Sequence, residues 1–445
     1  MDAREVALLT LNACHRQGGW SDNILKKQLA QSGLDSRDGA LATQLCFGVL
    51  QNQLLLDFYL SKFSNLPLKR MEGKVVQALR LGAYQMLFLT KIPHSAAVNR
   101  SVELTRAHCK NPRAPGMVNA ILRNLERNLN SLPTIPEEDP VYYLSVLYST
   151  PEWLVKEFLL ILGEDETAKL LAANNTRPPI TAMVNTVKTS SQALLEKLTE
   201  ERVEAREHPW LPDCLILSKT GDLERLSAFR EGLFYIQDPA SRLAVRAAEV
   251  KPGMRVLDCC AAPGGKSFAA AIQMENRGEV ISCDLHPHKK KLIQAGADRL
   301  GLTIVTPMTA DGKVFRPEWE RAFDRVLVDA PCSGLGVIRK KPDIRYKDPA
   351  PLKDLPQVQK AILDNASRYV RPGGVLLYST CTVLRRENEQ VAQDFLSCHP
   401  DFKGEDFTLA DTIGLSWNGM LTLWPHRQGT DGFFICKLRK REETL

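Results

Sequence analysis

The chain has 445 residues, of which 44% are hydrophobic and 25% charged, with 27 Gly, 26 Pro and 11 Cys. These fractions exclude a largely disordered, collagenous or coiled-coil protein, and roughly 150 residues per domain suggests about two to four domains. The net charge of +6 is unevenly spread: residues 1–130 hold 17 Lys+Arg against 9 Asp+Glu, net +8, and the remainder 41 against 43, net −2, which joins a basic module suited to a polyanion to a nearly neutral one.

The start, Met1 to Trp20, carries Asp2, Arg4, Glu5 and Arg16 and has neither a signal-peptide nor a transit-peptide pattern. Apolar residues then recur at helical spacing in Val6, Leu9 and Ala13, in Val75, Leu79, Gly82 and Met86, and in Val118, Ile121, Leu122 and Leu125. A helical bundle over 1–135 is expected, with Asn119, Arg123 and Arg127 turned away from the last stripe and available to a polyanion. The densest apolar run, Leu81 to Thr90, lies between Arg80 and Lys91 and is too short to span a bilayer. Ser131 to Pro140 reads as a proline-rich linker.

A small α+β module is expected over 140–237. One helix starts at Pro151 and runs to about Asn174; a strand follows at Ile180 to Val187, then a helix at Ser190 to Glu201 and short strands near 203–208, 213–218 and 232–237. From 238 to 445 the texture is that of βαβ units around a parallel sheet, with strands at Arg255–Cys259, Glu279–Asp284, Ile304–Thr309, Phe323–Asp329 and Val375–Thr380.

Chemistry concentrates at the ends of these strands. The first runs into Cys260-Ala261-Ala262-Pro263-Gly264-Gly265-Lys266, a glycine turn that opens a helix and exposes backbone N–H groups to a ligand. A nucleotide-hydrolase phosphate loop would need Gly where Cys260 stands, and the dinucleotide GxGxxG pattern is also absent. Asp284 and Asp311 follow the second and third strands, placed for ribose hydroxyls and an exocyclic amine of an adenosine-type ligand. The fourth strand ends in Asp329-Ala330-Pro331-Cys332 and the fifth in Ser379-Thr380-Cys381. A thiolate at either position can add to C6 of a pyrimidine and activate C5, while Asp329 holds N4 and a protonated N3. Spacing leaves the division of labour between the thiols open.

Eleven cysteines with no CxxC pair suit a reducing compartment, so a soluble, cytoplasmic protein with working thiols is expected. Cys283, His286 and His288 match no zinc spacing, and no metal is expected. Arg339, Lys340, Lys341 and Arg345 follow the Cys332 loop and are expected to pair with phosphates beside the target base.

The runs Cys260–Lys266, Asp329–Ser333 and Tyr378–Cys381, with Gln237–Ser241 and Thr430–Phe434, resemble the NOL/NOP/Sun family of RNA cytosine-5 methyltransferases. Pro93–Asn99 and Gly116–Asn124 resemble the NusB-like domain found in the small-subunit ribosomal RNA branch of that family. The resemblance implies an all-α NusB-like bundle, a small α+β module and a Rossmann-like class I methyltransferase domain. It implies S-adenosylmethionine held by Cys260 to Lys266, Asp284, Asp311 and Asp329, with Cys381 as nucleophile and Cys332 in product release. It also implies 16S rRNA as partner, free or in early subunit assembly; a monomer is expected. A tRNA methyltransferase and a non-catalytic rRNA-binding assembly factor are the alternatives; two thiols at strand tips speak against the second. Cys259 stands where the family has an aliphatic residue, and Thr382 with Arg385-Arg386 departs from its pattern before Glu387.

Overall fold

The computed structural model describes residues 1–17, 21–410 and 413–442; Trp20 and the last three residues of the expected 238–445 domain lie outside them. The chain forms two compact units, one of residues 1–176 with Ile338–Lys347, the other of residues 177–337 with Asp348–Leu445.

The first unit is helical. Helices Ala3–Gln17, Ser36–Gln51, Gly73–Phe88, His94–His108 and Ala114–Arg127 enclose a core that includes Val6, Leu45, Leu79, Val98 and Leu122. The stripe Val118, Ile121, Leu122 and Leu125 is buried as expected, each side chain contributing roughly 1.5–3 kcal/mol by leaving water. Gly82 lets two helices close up: a Cβ there would stand 2.5 Å from Leu122 Cδ1.

Helices Pro140–Leu147, Glu152–Leu162 and Glu164–Asn174 also belong to this unit, so the units cut across the expected middle module. The single helix expected from Pro151 is two, because Gly163 at φ 76° ends one and starts the other. Pro151 itself is the N-cap residue rather than the first helical one.

In the second unit β1 (Ile180–Val184), β2 (Glu204–Glu207), β3 (Cys214–Ser218) and β4 (Phe234–Ile236) form an antiparallel sheet in the order β2-β3-β1-β4. Asn185 Nδ2, buried just after β1, donates to the carbonyls of Gly232 and Leu300, fastening this sheet to the end of helix Pro287–Leu300. The larger sheet contains β5 (Arg255–Asp258), β6 (Glu279–Asp284), β7 (Val305–Thr309), β8 (Phe323–Asp329), β9 (Val370–Thr380), β10 (Phe402–Gly404), β11 (Met420–Leu423) and β12 (Phe433–Lys440). Its order is β10-β12-β9-β8-β5-β6-β7, with β11 paired to β12.

The run from β7 to β9 is parallel, and β12 joins β9 antiparallel. The parallel strands match the expected ones to within one residue, β5 ending at Asp258 and β7 starting at Val305, except that β9 starts five residues earlier, at Val370. Pro372 and Gly373 (φ 71°) look like a turn in sequence, yet the strand continues through them with a register shift against β8. Among the described residues no helix is long and apolar enough to cross a membrane.

Candidate active site

Parallel strands bring their C-terminal ends to one edge, and the chemistry-bearing residues sit there because each ends a strand. β8 and β9 pair with Asp329 opposite Ser379, so the residues just beyond them, Cys332 and Cys381, face each other. Their sulfurs are 3.3 Å apart, within hydrogen-bond reach for thiols, and both residues are half-buried. The Cys332 thiol is pushed well up by its hydrogen bond to Cys381 and by burial.

The two loops are pinned to one another. Ser333 Oγ donates to Thr382 Oγ1 (2.8 Å), and the Gly336 N–H donates to the Cys381 carbonyl (2.9 Å). A third loop, from Thr430 to Gly432, closes the stack as the Gly432 N–H donates to the Gly336 carbonyl (2.8 Å). No side chain fits at Gly336, where a Cβ would lie 1.8 Å from the Gly432 oxygen.

Beneath Cys332 lies fully buried Glu387. Its Oε2 accepts from the Ser333 N–H (2.8 Å) and from Gln359 Nε2 (3.0 Å), and the same Gln359 nitrogen donates to the Pro331 carbonyl (3.0 Å). The residues on both sides of Cys332 are therefore held by one buried pair. Sequence reasoning missed Gln359 and treated Glu387 only as the end of a divergent stretch; an acidic residue in a buried run was the sole signal.

Asp329 is held on both oxygens, by Lys266 Nζ at Oδ2 (2.7 Å) and by Ser379 Oγ at Oδ1 (3.0 Å). Lys266, in helix Gly265–Gln273, is buried, lies 5.0 Å from the Phe433 ring centre and reaches Ser241 Oγ at 3.4 Å. The motifs of residues 237–241, 260–266, 329–333, 378–381 and 430–434 thus meet in one place.

The adjoining end of β5 has room for a ligand. Gly264 has φ 115°, and a Cβ on Gly265 would stand 2.9 Å from Gln237 Nε2, so the turn from Cys260 through Ala261, Ala262 and Pro263 presents bare backbone at the helix start. Fully buried Asp258 accepts from Ser267 Oγ at 2.7 Å, while its Oδ1 has no partner. Burial raises its carboxyl to about 6. Asp284, nearly buried at the tip of β6, accepts from the His286 N–H (3.0 Å) and has Lys289 Nζ 3.6 Å away. Asp311, after β7, accepts from the Lys313 N–H (2.9 Å). An unpaired buried carboxylate oxygen, bare amide groups and a strand-tip carboxylate fit the amino, carboxylate and ribose groups of S-adenosylmethionine. The thiols of Cys259, Cys260 and Cys283 are all pushed up by burial, as apolar packing requires.

The residues expected to meet RNA divide. Asn119 and Arg127 are exposed on helix Ala114–Arg127, and Arg123 pairs with Glu126 at 2.8 Å. The segment after the Cys332 loop differs from expectation. Residues 338–347 pack inside the helical unit, where Arg339 and Arg345 are buried, Lys340 and Lys341 are partly covered, and Lys341 lies 3.8 Å from Asp22. Arg345 is not a phosphate ligand: its guanidinium donates to the carbonyls of Tyr148, Ser149 and Asn174 and to Asn175 Oδ1. Its charge serves to satisfy carbonyls left over at two helix ends.

Sheet order and the strand-tip site define a Rossmann-like methyltransferase dependent on S-adenosylmethionine. Residues 245–439 match the family described as "16S rRNA methyltransferase RsmB/F", residues 1–127 the NusB family, and residues 150–224 the ferredoxin-like domain of RsmF/B-like methyltransferases. The chain is 40% identical over 446 residues to a probable ribosomal RNA small subunit methyltransferase B from Bacillus subtilis, covering 98% of both, and 32% identical to ribosomal RNA small subunit methyltransferase B from Klebsiella pneumoniae, covering 99% of both. The crystal structure titled PH0851 superposes with a TM-score of 0.81 at 27% identity over 99% of both chains. The chain belongs to the ribosomal RNA small subunit methyltransferase B family.

Proposed function

We propose that the enzyme methylates C5 of one cytosine in 16S rRNA through a covalent bond between Cys381 and C6. The observation that carries this reading is the pair of opposed thiols, 3.3 Å apart, beside an aspartate fixed on both oxygens. Two sulfurs suit the two halves of the reaction: one attacks C6, and the other promotes loss of the C5 proton so that the adduct collapses. The Cys332 thiol, pushed up by its hydrogen bond to Cys381 and by burial, keeps its proton and is suited to the second half rather than to attack. Asp329 accepts from N4 and from protonated N3 of the cytosine, withdrawing electrons from C6. S-adenosylmethionine, when bound, supplies an electrophilic methyl group. Cys260 to Lys266, Asp284, Asp311 and Asp329 hold it, and Asn119, Arg123 and Arg127 contribute to gripping RNA near the target. Free thiols throughout the chain suit work in the cytoplasm.

The test uses labelled S-adenosylmethionine with unmodified small-subunit rRNA and maps label base by base. The expected result is label on C5 of one cytosine; tRNA is offered in parallel, and label there alone, or no label anywhere, would sink the reading. Cys332→Ala should accumulate a protein–RNA adduct stable to denaturant and Cys381→Ala should form none. The reverse pattern exchanges the two roles.

A further inference from the structure

Beyond methyl transfer, we propose that Cys332 and Cys381 are a modification site for peroxide, which converts them to a disulfide and switches the enzyme off reversibly. All eleven cysteines are free thiols, yet among the described residues this pair alone has its sulfurs within hydrogen-bond reach of each other. Bond formation needs the sulfurs to approach from 3.3 Å to about 2 Å, and the backbone already keeps them face to face. Ser333 is joined to Thr382, Gly336 to Cys381, and the Glu387–Gln359 pair holds both neighbours of Cys332. Both residues are half-buried, so a small oxidant reaches them. Cys46, Cys214, Cys259, Cys283 and Cys436 are buried among apolar side chains and stay reduced.

The chemistry closes with hydrogen peroxide as the only co-reactant. The Cys381 thiolate attacks one peroxide oxygen; an S–O bond forms, the O–O bond breaks and hydroxide leaves. The Cys332 sulfur then attacks the Cys381 sulfur; the S–S bond forms, the S–O bond breaks, and the oxygen departs as water with the Cys332 proton. Two thiols have lost two electrons, and peroxide has become two waters. The bridged site has no nucleophile.

The full-length chain, free of RNA and S-adenosylmethionine, is treated with hydrogen peroxide, alkylated under denaturing conditions and digested without reductant. Mass spectrometry is expected to find the Cys332 and Cys381 peptides joined, two hydrogens lighter than their sum. In a parallel sample methyl transfer falls at least tenfold and dithiothreitol restores it. Cys332→Ser should give no joined peptide and leave Cys381 as a sulfenic acid trapped by dimedone. Joined peptides that involve Cys260 or Cys283 instead, or separate alkylated Cys332 and Cys381 peptides after peroxide, would overturn the proposal. Because the readout is a covalent bond formed without substrate, it stands or falls independently of which thiol attacks cytosine.

Discussion

Two buried carboxylates set the behaviour of the site at the level of single residues. Asp258 holds its proton up to about pH 6, against an ordinary value of 3.8, because burial penalises the charged form more than the Ser267 hydroxyl and Lys266 help it. Between about pH 4 and 6 the unfolded chain has therefore already released a proton that the folded chain keeps. Stability falls as pH rises through that window, by about 3 kcal/mol, and stays lower above it. Asp258→Asn removes the titration, so the difference in unfolding free energy between about pH 4 and pH 7, measured by denaturant titration, should shrink by that order; an unchanged difference would refute the assignment. Glu387 is different in kind, since it acts through what it holds. Glu387→Ala leaves the Ser333 N–H and the Gln359 amide short of an acceptor, an expected loss of about 2–3 kcal/mol, and turnover should slow because Cys332 is no longer fixed. Glu387→Gln keeps an acceptor oxygen and should recover most of the turnover.

Strands and helices make their own predictions. Gly336→Ala forces a methyl group into the Gly432 carbonyl, so the three loops must part; a displacement of about 1 Å of the sulfurs is expected to cost roughly 100-fold in methyl transfer, read from single-turnover rates. Gly82→Ala overpacks Leu122 and Ser101, and its effect should be confined to stability, about 1–3 kcal/mol by thermal or chemical unfolding. The five parallel strands were legible because each is an apolar run closed by a turn, and with them the strand tips that carry Asp258, Asp284, Asp329, Cys332 and Cys381. Strands β10 and β11 were not legible: three or four residues long, they lack a period to detect and exist because β12 offers them an edge. Strand β12 was visible only as a motif, since nothing local tells an antiparallel strand from a parallel one. The Glu387–Gln359 pair was hidden for another reason, being a contact across 28 residues between two buried polar side chains.

At the scale of the whole molecule, charge and connectivity part company. The excess of positive charge in the first 130 residues is legible in composition, whereas the basic run after Cys332 misleads because charge alone does not reveal burial. Arg345→Met tests the difference. If Arg345 satisfies carbonyls, the variant should unfold at lower denaturant, with a loss of about 3 kcal/mol or more, and any RNA defect should track that loss. A phosphate contact would instead weaken RNA binding and flatten its salt dependence at unchanged stability.

The placement of residues 338–347 also dictates an order of events during synthesis. The carbonyls of Leu50, Tyr148, Ser149 and Asn174 have left the ribosome long before Arg345 and Tyr346 arrive to bond them. The helical unit therefore cannot reach its final state when its own last helix, at Asn174, emerges; it waits for a further 171 residues, the span between Asn174 and Arg345. A nascent chain arrested before residue 338 should be more easily cut by protease near Tyr148 than one arrested after Lys347 has cleared the exit tunnel. Completion of the helical unit then reports that the strand carrying Asp329 and the loop carrying Cys332 have already been made.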